Sequence, residues 1–149
     1  MIVVDLNLLI YAVNTDAIQH DRARRWWENV LSQGERVGLA WSVVFGFLRL
    51  TTNPKIMPHP LPPEQAIAVV DDWFAQPSIQ PLVPTDRHWA IVKEILAPLG
   101  TAGNLTSDAH LAGLAIEHGA RLCSTDNDFA RFSGLRWVNP LAGTGRRSL

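Results

Sequence analysis

Asp5, Asp108, Asp126 and Asp128 are carboxylates at places where a folded chain has little use for a bare charge. Asp5 follows directly on Ile2-Val3-Val4, a β-branched run of the kind buried in parallel sheets. Asp126 comes three residues after Cys123, beyond a second short apolar run, with Asp128 close behind. Asp108 falls in the first turn of a helix that begins after Asn104. Residues three, four and seven further on are Leu111, Ala112 and Ala115, the apolar face of that helix. An unpaired charge on a buried stripe is costly. In open parallel α/β sheets, ligands bind outside the carboxyl ends of the strands. If the two strands run parallel, Asp5 and Asp126 share that edge. Acids gathered there repel one another, and a bound cation is the usual remedy.

Each acid taken alone has a plainer use. Asp5 suits a helix cap, Asp108 suits the positive end of a helix dipole, and Asp126 and Asp128 suit a turn. The case for chemistry rests on the edge they share. Ligand type then narrows the metal. His20, His59, His88, His110 and His118 are scattered, and none forms a zinc-like pair with the single Cys123. Each is assigned an ordinary surface or core role, and His110, two residues from Asp108, is expected on a different helix face. Hard oxygen ligands select Mg²⁺, with Mn²⁺ as a substitute. Such an ion activates water and stabilises charge on a leaving oxygen, which suits phosphodiester hydrolysis. Competing patterns are missing from the sequence. There is no Gly-rich phosphate loop and no nucleophile elbow, and Cys123 lies in a strand rather than at a helix start.

The elements that must position these acids follow from periodicity. A helix leads off Asp5, and another runs from about residue 19 to 32 with Ala23, Trp26, Trp27 and Val30 on one side. Ser42 suits the cap of a helix through Leu50, which Thr51-Thr52-Asn53-Pro54 ends. Residues 54–63 hold five prolines and read as an extended loop. Helices over about 64–75, from Thr85 to Leu96, and over about 106–118 alternate with short strands near 79–83, 121–124 and 135–138. This alternation predicts an α/β fold, a three-layer α/β/α sandwich around a short, mostly parallel sheet. A single domain over residues 1–149 is expected, with 143–149 as a frayed tail.

Composition sets the remaining bounds. Of the 149 residues, 47% are hydrophobic, which excludes a disordered chain. The longest apolar-rich stretch, Val37 to Leu48, is too short to cross a bilayer, and the first residues do not read as a signal peptide. A lone cysteine fits a reducing, cytoplasmic setting. The net charge of −1 offers no general attraction to nucleic acid. Yet 11 of the 13 basic residues are Arg, the side chain better suited to bidentate phosphate contacts.

Four segments carry a resemblance. They are Val4-Asp5-Leu6-Asn7, Phe47-Leu48-Arg49-Leu50-Thr51-Thr52-Asn53-Pro54, Gly103-Asn104-Leu105-Thr106-Ser107-Asp108-Ala109-His110-Leu111-Ala112, and Ser124-Thr125-Asp126-Asn127-Asp128-Phe129. In order and spacing the chain resembles a PIN-domain ribonuclease, specifically the VapC-type toxin of a bacterial type II toxin–antitoxin pair. The resemblance implies a PIN-like fold and a bacterial endoribonuclease that binds Mg²⁺ or Mn²⁺ and cuts single-stranded regions of tRNA or rRNA, leaving a 5′-phosphate and a 3′-hydroxyl. It puts the site acids on Asp5, Asp108 and Asp126, with Asp128 as a further metal ligand and Asn7 supporting the first acid. It also implies a cognate antitoxin whose C-terminal segment covers the site with an Arg or Lys, and a homodimer formed through apolar helical surfaces such as those of residues 19–32 and 64–75.

One position departs from the family pattern. Where many members carry a Glu, just before Phe47, this chain has Gly46, which bears on the number of metals and leaves Asp128 as the substitute ligand. Arg49, Arg87 and Arg131 are candidates for phosphate contacts, with solvated helix charges as their plainer role. Two other functions compete: a receiver-like Mg²⁺-binding signalling domain, and a catalytically degenerate RNA-binding module. The first normally needs a Lys near the site, and Lys55 and Lys93 fall in the Pro-rich loop and mid-helix.

Overall fold

Ile2–Val4 forms β1, and all three residues are buried. Asp5 ends it and caps α1 (Leu6–Val13) by accepting the Leu6 N–H. In this computed structural model, residues 1–143 are described. The elements that follow are α2 (His20–Gln33), β2 (Val37–Ala40), α3 (Trp41–Thr51), α4 (Pro63–Ala75), β3 (Ile79–Leu82), α5 (His88–Leu96), α6 (Leu105–Glu117), β4 (Arg121–Cys123) and β5 (Trp137–Val138). Short 3₁₀ turns cover Ala97–Leu99 and Asn127–Arg131. Apart from Gly143, the tail expected to fray lies outside the described residues.

The five strands pair in the order β3-β2-β1-β4-β5, and every pairing is parallel. The chain moves outward from β1 to β3 and then returns to β4. With right-handed crossovers this reversal puts α1–α4 on one face and α5–α6 on the other. The packing agrees, with α1 on α2 and α3, α3 on α4, and α5 on α6. The α/β/α expectation holds. The reversal lies between β1 and β4, so the ends of those two strands form the crevice where such sheets bind ligands.

Two local differences from the sequence reading are instructive. Val37–Ala40 is a strand that is not among those expected from the sequence, and α3 starts one residue before Ser42 without a side-chain cap. Gly38 makes that strand possible. A Cβ there would stand 2.5 Å from the side chain of Leu82 on β3, so only glycine admits this packing. At the other end, β5 covers only Trp137–Val138 of the expected 135–138. Pro81, which has no N–H to donate, is tolerated because β3 is an edge strand.

The apolar residues of α2 and α4 are largely spent on the core: Ala23, Trp27 and Val30 on one, Ala66, Val70 and Trp73 on the other. The exposed aromatic pair sits on α3 instead, where Trp41 and Phe45 stack at 6.0 Å and are 44% and 62% exposed. No helix of the described residues is long and apolar enough to cross a membrane.

Candidate metal centre and the grooves around it

Parallel pairing of β1 with β4 puts Val4 beside Cys123, so the next residues, Asp5 and Ser124, emerge together at the carboxyl edge. Ser124 is fully buried and organises the edge. Its hydroxyl donates to Asp5 Oδ2 at 2.6 Å and accepts from the Asp126 N–H at 3.0 Å and from Asn7 Nδ2 at 3.3 Å. The other oxygen of Asp5 accepts the Leu6 N–H at 2.8 Å. Because the single hydroxyl proton goes to Asp5, Asn7 must present its NH₂ to Ser124. Its Oδ1 is then left buried without a hydrogen-bond donor.

Asp108, in the first turn of α6, meets the β4 acids across the crevice. Ligand oxygens of Asp108, Asp126 and Asp128 lie within 4.8 Å of one another. The Asp128 N–H donates to Asp126 Oδ1 at 2.9 Å, which holds this turn in shape. Asp5 stands just outside that trio, joined to it through Ser124. The electrostatics mark the crowding. Burial, then the charges of Asp126, Asp5 and Asp128, push the Asp108 carboxyl up to about 6. Burial also raises Asp5, with Asp126 adding to the effect, while the Ser124 and Leu6 hydrogen bonds oppose it. A cation would relieve all of these penalties at once.

The donor set is carboxylate oxygen throughout, with the orphaned amide oxygen of Asn7 nearby. That chemistry fits a hard divalent ion. No histidine joins the group. His20 bonds to the Tyr11 carbonyl, His118 to the Val83 carbonyl, and His59 to Asp16. His110 points away from Asp108, as its spacing suggests, and meets His88 Nε2 at 2.9 Å; His88 Nδ1 pairs with the fully buried carboxylate of Glu117 at 2.7 Å. These contacts lock α5 to α6. Burial raises the Cys123 thiol to about 11, which leaves it unreactive. Lys93 lies over the Trp89 ring on α5, and Lys55 lies in the loop after α3.

Gly46 packs against α1. A Cβ at this position would stand 2.6 Å from Leu6 Cδ2, so a larger residue would require that methyl group to move.

Sequence reasoning missed two parts of the site. Ser124 could have been found by register, since parallel β1 and β4 set it next to Asp5. The other part is a groove of about 420 Å³ opening beside Asp5 and Asn7, with walls of Ile10, Tyr11, Leu50, Ile56 and Met57. It gathers residues from three separate segments, a grouping that no local pattern carries.

The PIN domain family model matches residues 2–135. Ribonuclease VapC37 of Mycobacterium tuberculosis is 48% identical over 142 residues, spanning 95% of this chain and 99% of that protein. Ribonuclease VapC33 of the same species is 45% identical over 141 residues, with 95% and 99% covered. Among solved structures, VapBC2 from Rickettsia felis, bound to a DNA fragment from its promoter, aligns with a TM-score of 0.67 at 19% identity. It covers 93% of this chain and 98% of its own. M. tuberculosis VapC20, described as a sarcin–ricin loop cleaving toxin, aligns at 0.62 with 17% identity, covering 91% and 99%.

Proposed function

The chain belongs to the PIN-domain family, and from that premise we propose that it is the ribonuclease toxin of a toxin–antitoxin pair, a Mg²⁺-dependent enzyme that cuts single-stranded regions of structured RNA. One observation carries the reading: four carboxylates crowd the carboxyl ends of β1 and β4, and the charges of the other three help lift Asp108 to about 6. A bound cation would neutralise that mutual repulsion. Family membership and the ribonuclease names of relatives up to 48% identical support the same conclusion.

In this reading Asp108, Asp126 and Asp128 hold the ion, and Asp5 completes the site. When bound, the ion supplies water activation and charge stabilisation at the leaving oxygen. The chain's own residues supply the positioning. Ser124 fixes the rotamer of Asp5 and the backbone of Asp126 together. Asn7 holds Ser124 from below and offers its unbonded amide oxygen. Asp128 takes the ligand role left open at Gly46.

An antitoxin is the protein partner in this reading, its C-terminal segment lying in the apolar groove beside Asp5 and presenting a cation to the acids. The named antitoxin complexes among the structural neighbours support that partner class. Self-association belongs to the same reading, since Trp41 and Phe45 stack in the open on α3. A tRNA or rRNA target and a bacterial cytoplasmic setting complete it, with residues 1–149 acting as one unit.

The test is cleavage of total RNA by the purified chain with Mg²⁺, with EDTA, and with Asp5→Asn. Cutting is expected only in the first case. Cleavage that survives both EDTA and the substitution would refute the mechanism.

A further inference from the structure

A second groove runs along α2, from Pro140 and Leu141 beyond β5 to Ile2 and Arg121 at the amino ends of β1 and β4, and its materials differ from those beside Asp5. Residues 22, 25, 26, 29 and 33 of α2 follow helical spacing and make one stripe about 16 Å long. The side chains on it are Arg22, Arg25, Trp26, Asn29 and Gln33. They line two adjoining depressions of about 210 and 260 Å³ that share Trp26. The facing wall is Val138, Pro140 and Leu141, at the end of β5 and just beyond it. Three guanidinium groups (Arg22, Arg25 and Arg121) line the pair of depressions against one carboxylate, Glu35, which is already paired with Arg121 at 3.1 Å. In a chain of net charge −1, this is a local cationic surface.

The groove is tied physically to the catalytic edge. The Ser124 N–H donates to the Val138 carbonyl at 3.1 Å, and Trp137 Nε1 donates to the Ser124 carbonyl at 3.0 Å. Three residues beyond Val138, the Leu141 carbonyl accepts from the Arg22 guanidinium. The segment 138–141 therefore spans from the serine that orients Asp5 to the arginine stripe. Neighbouring strands are about 4.8 Å apart, so the groove begins one strand over from Asp126.

We propose that this groove is the RNA-binding track that carries the substrate strand away from the cut, with Arg25 on a phosphate, Trp26 stacked on a base, and Asn29 and Gln33 on base edges. It rests on the ribonuclease reading above and adds the surface that reads the strand. Single strands are bound by a cationic groove with an aromatic platform, and amide side chains suit exposed base edges. The apolar groove beside Asp5 has no cation in its walls and cannot serve phosphates in this way.

The test measures binding of a labelled random-sequence single-stranded RNA pool to the full chain carrying Asp5→Asn, across a salt series. In that background Arg25→Gln is expected to weaken binding and to lower the slope of log Kd against log salt by about 0.7, one phosphate contact on a single strand. Trp26→Ala should weaken binding about fivefold to a hundredfold, the range for one lost base stack, with Trp26→Phe recovering most of it. Arg24, exposed on α2 and paired with Glu28, is outside the groove, so Arg24→Gln should bind as its parent does. RNA binding unchanged in both Arg25→Gln and Trp26→Ala would overturn the proposal. So would variants that keep RNA affinity and lose only an antitoxin. Cleavage by the unsubstituted chain is scored separately: no cleavage with groove-dependent binding sinks the enzyme and leaves the track, and the converse sinks the track alone.

Discussion

The groove beside Asp5 and the groove along α2 are made of opposite materials. Next to Asp5 the walls are Ile10, Tyr11, Leu50, Ile56 and Met57, an apolar surface that gains by being covered. Next to β5 the wall of α2 presents guanidinium, indole and amide groups, which gain by meeting a hydrated polyanion. Both reach the same Ser124-centred edge, one through Asp5 and Asn7, the other through Val138. The difference suggests a division of labour at a single site: one approach for a protein that silences the acids, one for the nucleic acid they act on. On the proposed reading, a chain of net charge −1 would meet RNA through the guanidinium groups gathered along this groove rather than through its overall charge.

The comparison fails most visibly if the edge shared by the grooves is not the reactive one. Asp108→Asn is expected to lower RNA cleavage by more than about a hundredfold, because even outer-shell partners of metal ligands are worth 10–100-fold. Single-turnover cleavage of an RNA cut by the unsubstituted chain measures this. Ser124→Ala comes next. It releases Asp5 and leaves the Asp126 N–H and the Asn7 amide without their acceptor, so Mg²⁺ affinity should fall about tenfold or more. Stability should fall by about 1–3 kcal/mol, read by urea unfolding. A fall in stability without any change in Mg²⁺ affinity would remove Ser124 from the site.

Ile56→Glu sharpens the contrast between the grooves. It should weaken antitoxin binding about tenfold while leaving random-sequence RNA binding intact. Arg25→Gln should do the reverse. If either substitution weakens both, the grooves are one surface and the division of labour is wrong.

The smallest effect is on stability against pH. The Asp108 carboxyl is raised from its ordinary 3.8 to about 6 in the folded chain. Its contribution is therefore fully present below about 3.8 and is lost as pH rises through about 6. Metal-free Asp108→Asn should be more stable than its parent at pH 7, by about 1 kcal/mol or less because the group is largely solvated, and the gap should close near pH 4. Thermal unfolding of the two proteins in EDTA across that range measures it. A gap that stays constant with pH would mean that Asp108 feels no excess negative charge.

Much of this arrangement is legible in the sequence. Ile2–Val4 running into Asp5, and Asp108 one turn into a helix with an otherwise apolar face, are local patterns with direct physical meaning. β2 was not legible, because Val-Gly-Leu-Ala is too short for periodicity and carries a glycine that local propensity counts against a strand. Its reason lies in Leu82, 44 residues after Gly38, whose side chain occupies the space a Cβ would need. Asp128 entered as a secondary ligand and sits in the tight trio, while Asp5 stands one hydrogen bond further out. Arg49, Arg87 and Arg131 are candidates for phosphate contacts by their place near the motifs, with solvated helix charges as their plainer role. No local pattern points to Arg22, Arg25 and Arg121, which come together with Pro140 only through the fold.

Calorimetric titration of the purified chain with Mg²⁺ bears most directly on the central claim that these acids form a cation site. Saturable binding is expected, with protons released near pH 6 as the ion displaces them from Asp108, and both the binding and the release should be lost in Asp108→Asn. The absence of saturable heat with either Mg²⁺ or Mn²⁺, or binding that is indifferent to Asp108→Asn, would contradict it.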